Sequence, residues 1–284
     1  MRMKTVLLAA AALMIATAPA TAHRQWLLPN GTIFSGTDAW VTVDGAASND
    51  LFFPDHQPMR LDNVKAWAPD GSEAKIENGA TGRYRSTFDV KLDKAGTWKI
   101  GTAQSGVSGT FKVDGAEWRV GGRRGPPPAA GANASQPKFV ASVDEIPANA
   151  TDLKLTESAS HNQIYVTAGE PTDTVFRPTN KGLEMVPVTH PSELVAGESA
   201  RFKFLVDGKP AANLKVSVLP GGKRYRDSDG LMEITTGADG VAQITWPQAG
   251  MFWMNTSYSD DKPTAPRATA RRLSYTTTLE VMAP

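Results

Sequence analysis

Cysteine is absent from all 284 residues. Its absence excludes disulfides, thiolate metal sites, iron–sulfur clusters and cysteine nucleophiles. It does not exclude an exported protein, because two domains of about a hundred residues each bury enough apolar surface to fold without cross-links. An excess of charge of one sign is missing too. Thirty Lys and Arg stand against 29 Asp and Glu, and no basic stripe interleaved with aromatics occurs, so nucleic acid is not an expected partner. No stretch sustains a helical hydrophobic period with caps at both ends. Catalytic signatures are equally scarce. There is no Gly-x-Ser-x-Gly, no His-Glu-x-x-His and no glycine-rich phosphate loop at a strand–helix junction. The expectation is therefore a protein that is not an enzyme.

One apolar run, Val6 to Ala16, follows the basic Arg2 and Lys4 and precedes Ala20-Thr21-Ala22. The run is too short to span a membrane, and the small-x-small triplet fits a cleavage site. Residues 1–22 read as a signal peptide, and the mature chain as a soluble periplasmic protein that begins at His23. Cleavage removes two basic residues, leaving 28 against 29 acids and a net charge of −1.

What remains is patterned as short strands. Ala39-Trp40-Val41-Thr42-Val43 alternates and ends at Asp44-Gly45, while Val64 to Ala68 ends at Pro69-Asp70-Gly71. Tyr84 to Val90 and Gly109 to Val113 follow in the first half. Asp152 to Thr156, Gln163 to Thr167, Ala200 to Val206, Leu214 to Val218, Glu233 to Thr236 and Arg272 to Val281 follow later. Asp-Gly pairs supply the positive φ that tight turns need. Two stretches repeat one device: Phe88 to Ile100 and Gln243 to Met254 each place a polar segment, then Ala-Gly, then Trp or Phe just past the corner. Turn signals at such spacing suit immunoglobulin-like antiparallel sandwiches. The fold expected is all-β, with two immunoglobulin-like β-sandwich domains joined by a Pro/Gly-rich loop. The domains are a sandwich over 23–118, a flexible linker over 119–138, connecting strands over 139–182 and a second sandwich over 183–284.

The second half resembles a known family. Gly182-Leu183-Glu184-Met185-Val186-Pro187, His190-Pro191, Ala196-Gly197-Glu198, Val206 to Pro210, the Thr236-to-Gly240 turn, the Ala-Gly corner and Arg272-Leu273-Ser274-Tyr275 carry the resemblance. At the mature start, so do His23, Trp26 and Pro29. The family is a bacterial periplasmic domain-of-unknown-function group often labelled the periplasmic component of a cobalt/nickel transport system. The resemblance implies a periplasmic role beside metal uptake, with an inner-membrane metal transporter or an outer-membrane receptor as partner.

The four histidines are His23, His56, His161 and His190. Cleavage would give His23 a free α-amine and an imidazole, two nitrogens that chelate a divalent metal without any fold. An α-amine titrates near about 7.7–8.0, so metal binding near neutrality displaces a proton. A tight site needs one or two further ligands. His56 lies in Pro54-Asp55-His56-Gln57-Pro58, His161 just before a strand and His190 in a turn before Pro191. No two stand at ligand spacing, so the fold must assemble any shared site. Nitrogen ligands suit nickel, cobalt, copper or zinc alike. Met251 and Met254, three apart on a strand, point to opposite faces and read as packing. Asp227 and Asp229 lack the remaining ligands of a calcium loop and read as a solvated turn. The functional expectation is an accessory protein in nickel, cobalt or related metal uptake. The alternatives are a metal-independent glycan- or protein-binding module and, further off, a copper monooxygenase with an amino-terminal histidine.

Overall fold

A computed structural model describes residues 23–121 and 138–284. The expected signal peptide and most of the Pro/Gly-rich stretch lie outside these residues. In chain order the strands are β1 (Arg24–Pro29), β2 (Ile33–Phe34), β3 (Ala39–Ser48), β4 (Gln57–Pro58), β5 (Val64–Trp67), β6 (Glu73–Ala74) and β7 (Glu77–Thr81). There follow β8 (Ser86–Leu92), β9 (Gly96–Val113), β10 (Ala116–Val120), β11 (Lys138–Val140), β12 (Thr151–Ala168) and β13 (Leu183–Pro187). The last are β14 (Ser199–Val206), β15 (Lys209–Pro210), β16 (Lys215–Pro220), β17 (Met232–Thr235), β18 (Val241–Thr245), β19 (Gly250–Asp260) and β20 (Ala270–Val281). Four short 3-10 turns are the only helical elements among the described residues. The chain is all-β, as its patterning predicts.

Three sheets result. A central eleven-stranded sheet runs β11-β10-β9-β12-β20-β19-β16-β17, with β2, β5 and β6 attached at its sides. A five-stranded outer sheet is built on β1-β3-β8-β7, and a four-stranded one on β13-β14-β15 with β18 paired to β14. Alternation of side chains along the central strands decides what each face covers. On β12, Ile164, Val166 and Ala168 enter a core with Val41, Phe88 and Val90 of the five-stranded sheet. Tyr165, between them, enters the opposite core with Phe202 and Phe204 of the four-stranded sheet. On β19, Phe252 and Met254 join that second core, whereas Trp253 turns to the other face against Trp26. Two large apolar cores lie on opposite faces of one shared sheet, with smaller clusters around Trp26 and around Phe111.

Both Ala-Gly corners mark the crossing from an outer sheet into the central one: β8 to β9 at Gly96, and β18 to β19 at Gly250. The two glycines adopt nearly the same positive φ, +127° and +131°, a region that L side chains avoid. At Gly96 a Cβ would also sit 2.6 Å from Pro69. Just past the corners, Trp98 and Phe252 are fully buried.

The strands read as Asp152–Thr156 and Gln163–Thr167 are in fact one strand, β12, and Gly109–Val113 is the far end of β9. Each is 18 residues long. Their middles, Gly101 to Gly109 and Thr156 to Asn162, are small and polar and show no apolar alternation. They are held as strand by pairing with each other, antiparallel from Thr151↔Lys112 to Ala168↔Gly96. β20 completes β12's other edge in parallel, Thr156↔Ala270 to Ile164↔Thr278.

Candidate functional site

β1, directly after His23, is anchored by an apolar plug. Trp26 and Ala46 pack with Leu51, Leu219 and Trp253, and Phe52 meets the Trp26 ring edge-on at 5.6 Å. Polar groups fix the same region. Trp26 Nε1 donates to Ser48 Oγ at 2.7 Å, which donates in turn to the Asp50 carbonyl at 2.6 Å. Trp253 Nε1 donates to the Gln25 carbonyl at 2.9 Å. These two indole N–H groups thus each find an acceptor, which offsets their desolvation.

β3 is flanked at this end by β1 on one edge and β4 on the other, with Gln25↔Ala47 and Ala47↔Gln57 in register. His23 precedes β1 and His56 precedes β4, so the two histidines arrive on either side of the Ser48–Asn49 end of β3. Asp55 stiffens the approach, accepting from Asn49 N at 2.9 Å and Asn49 Nδ2 at 3.4 Å. The two imidazoles stack face to face, their centroids 3.5 Å apart and their planes parallel. Both residues are exposed.

The other two histidines serve different surroundings. His190 Nδ1 accepts from Ser192 N at 3.1 Å and lies 2.6 Å from Ser192 Oγ, and its Nε2 lies 3.0 Å from Thr97 Oγ1. Both ring nitrogens are engaged in capping a 3-10 turn and tying it to β9. His161 Nδ1 lies 3.3 Å from Gln163 Nε2. Gln163 Oε1 faces the hydroxyls of Tyr165 and Tyr275, at 3.2 and 3.3 Å, and those hydroxyls are 2.7 Å apart. Burial holds the titration of both His161 and His190 below the ordinary imidazole value, and pushes the Tyr165 phenol up to about 12. Both histidines are therefore neutral at pH 7.

Among the described residues, no three His, Asp or Glu side chains lie together as a ready-made metal cluster. His23 and His56 are the pair that the fold unites. A metal bonded at about 2.0–2.1 Å to one nitrogen of each ring must lie near the plane of both rings, and because the stacked planes are parallel, shared coordination requires at least one of these exposed imidazoles to turn about its side-chain bonds. A third nitrogen, the α-amine of His23, exists only once the bond to Ala22 is cut. Met254 is in the core and Met251 half-buried on the opposite face. Asp229 accepts from Leu231 N, and its carbonyl from Arg226 Nη2, the contacts of a closed turn.

Residue patterning did not reveal the Gln163–Tyr165–Tyr275 network beside His161, nor Arg271. Arg271 is 5% exposed, with Asp260 and Asp207 bound at 2.7 and 2.8 Å, and its guanidinium is held charged more firmly than usual by those carboxylates. Alternation on β20 marks Tyr275 as inward, but only the register His161↔Tyr275 places it beside the histidine.

An all-β chain with an exposed imidazole pair at one sheet end is the class so defined. More specifically, the chain belongs to the family described as a domain of unknown function (DUF4198), whose profile matches residues 20–260. No curated protein matches it. Among solved structures, the D0-D1 domain of intimin is 9% identical, with 90% of this chain and 97% of that one covered at a TM-score of 0.21. The ligand-binding domain of human OSCAR is 10% identical, with 92% and 100% covered at a TM-score of 0.20. Escherichia coli alpha-2-macroglobulin activated by porcine elastase is 11% identical, with 90% and 20% covered at 0.24. Overlaps this loose carry no argument about mechanism.

Proposed function

We propose that the protein is an exported, non-enzymatic periplasmic accessory of transition-metal uptake, built on two immunoglobulin-like sandwiches that share a sheet. In this reading His23 and His56 take up a divalent ion and a membrane transporter or receptor receives it. The observation that carries the reading is the 3.5 Å stack of these two imidazoles, from residues far apart in sequence, with one of them at the expected cleavage point. Signal cleavage would add the α-amine, completing three nitrogens for nickel, cobalt, copper or zinc. Both rings are exposed, so a metal can arrive and leave without opening the core. That suits transfer better than storage.

Calorimetry with each of the four ions on protein starting at His23 tests this. His56→Ala, or one extra alanine before His23, should each weaken binding at least about tenfold, the size of effect expected when an ion loses one of few ligands. Unchanged affinity in both would end the proposal. The same three nitrogens also suit a copper monooxygenase. That second reading is favoured if the copper-loaded protein, given reductant and oxygen, cleaves a polysaccharide, and the cleavage disappears in His56→Ala.

A further inference from the structure

A hollow of ≈ 590 Å³, lined by neither His23 nor His56, lies on the face of the central sheet that carries the four-stranded sheet. Its floor lies on three registered rows across β9, β12 and β20, to which Ala103 and His161, then Ser105, Ala159 and Leu273, then Glu157 and Arg271 contribute. The small side chains Ala103, Ser105 and Ala159 leave the space, and the Leu273 side chain adds an apolar wall.

The polar groups around the hollow divide into spent and unspent. Glu157 accepts from Thr264 N, Thr264 Oγ1 and Ala265 N. Asp207 accepts from Gly182 N and Arg271 Nη1, and Asp260 accepts from the remaining Arg271 nitrogens. These carboxylates and this guanidinium are already satisfied. His161 is half satisfied: Gln163 Nε2 donates to its Nδ1, so the neutral ring carries its proton on Nε2. Lys181 lines the same hollow, and among the described residues no hydrogen bond or ion pair engages its side chain. The unspent capacity is therefore in donors: an ammonium and an imidazole N–H.

A ligand that fits must bring acceptors and an apolar body. We infer that this trough binds a small carboxylate with a short aliphatic chain, its oxygens meeting Lys181 and His161 Nε2–H, its chain lying on Ala103, Ala159 and Leu273. The site is independent of the metal reading and stands or falls separately from it.

Calorimetry on the protein from His23 onward, with glutarate against glutaramide, provides the test. The two have the same length, but only glutarate carries charged oxygens. Glutarate should bind saturably and glutaramide should not. Lys181→Ala, an exposed change that leaves the core intact, and His161→Ala should each weaken glutarate about tenfold, the loss of one charge-assisted or buried hydrogen bond. His56→Ala should leave glutarate binding as it was. Absence of saturable glutarate binding, equal binding of the diamide, or unchanged affinity in both Lys181→Ala and His161→Ala overturns the inference.

Discussion

His190 and His23 should answer oppositely to removal. His190 uses both ring nitrogens inside the fold and packs edge-on to Phe176 at 5.3 Å. Replacing it by alanine deletes a cap and a cross-tie between β9 and the following turn, at a cost of about 1–2 kcal/mol. A chain of this size should then melt several degrees lower. His23→Ala touches only an exposed stack and should leave the metal-free melting temperature unchanged. Titration follows from burial. His161 and His190 titrate lower in the folded state than in the unfolded one, so as pH falls below about 6.5 the unfolded chain takes up protons first. Their contribution is fully present above that pH, and stability should drop as pH falls from 7 toward 5. Urea midpoints across this range should slope less in a His161→Gln/His190→Gln double variant. An unchanged slope would assign the pH response to other groups.

At the scale of the element, β9 and β12 carry the most distinctive demand. Gly109 lies opposite Leu155, beside an irregularity in the register between Thr151 and Lys154. A Cβ there would lie 2.0 Å from the Lys154 carbonyl oxygen. Because the obstacle is backbone of a central strand, nothing flexible can give way. Gly109→Ala should cost about 3 kcal/mol or more, or prevent folding. Gly106 of the same strand meets nothing within 4 Å, and Gly106→Ala should change stability by less than about 0.5 kcal/mol. Chemical denaturation of the pair checks this. The glycines also explain what residue patterning left out. A run such as Gly101-Thr-Ala-Gln-Ser-Gly-Val-Ser-Gly looks like a loop because no side chain periodicity marks a buried face. Here the strand state comes from the neighbouring backbone, which approaches closely because the side chains are small.

At the scale of the whole molecule, the two large cores meet at β12, which sends side chains into both. Val166 faces one core and Tyr165 the other, so neither layer can come away without exposing the second face of the same strands. Heating should therefore give one calorimetric transition, with calorimetric and van't Hoff enthalpies in agreement. Val166→Ala and Phe204→Ala, on opposite faces, should lower that same transition. The first removes two buried methyl groups and the second a buried phenyl ring, at about 1–5 kcal/mol. Two separable transitions, each shifted by only one variant, would show that the cores melt independently.

Residue order alone determined the all-β character, most strand positions, the two Ala-Gly corners and the exclusion of thiol chemistry. Those features follow from period-two alternation and from turn residues, both of which act within a few residues. It also singled out His23, by its place after the small-x-small triplet. Residue order offered no way to choose among His56, His161 and His190 as a companion. That choice belongs to tertiary structure. Pairing of β3 with β1 on one edge and β4 on the other sets His56 against His23, while β12's registers carry His161 to Tyr275 and Thr97's hydroxyl holds His190. Strand register is fixed by which faces are buried across the whole sheet. No local stretch of sequence contains that information.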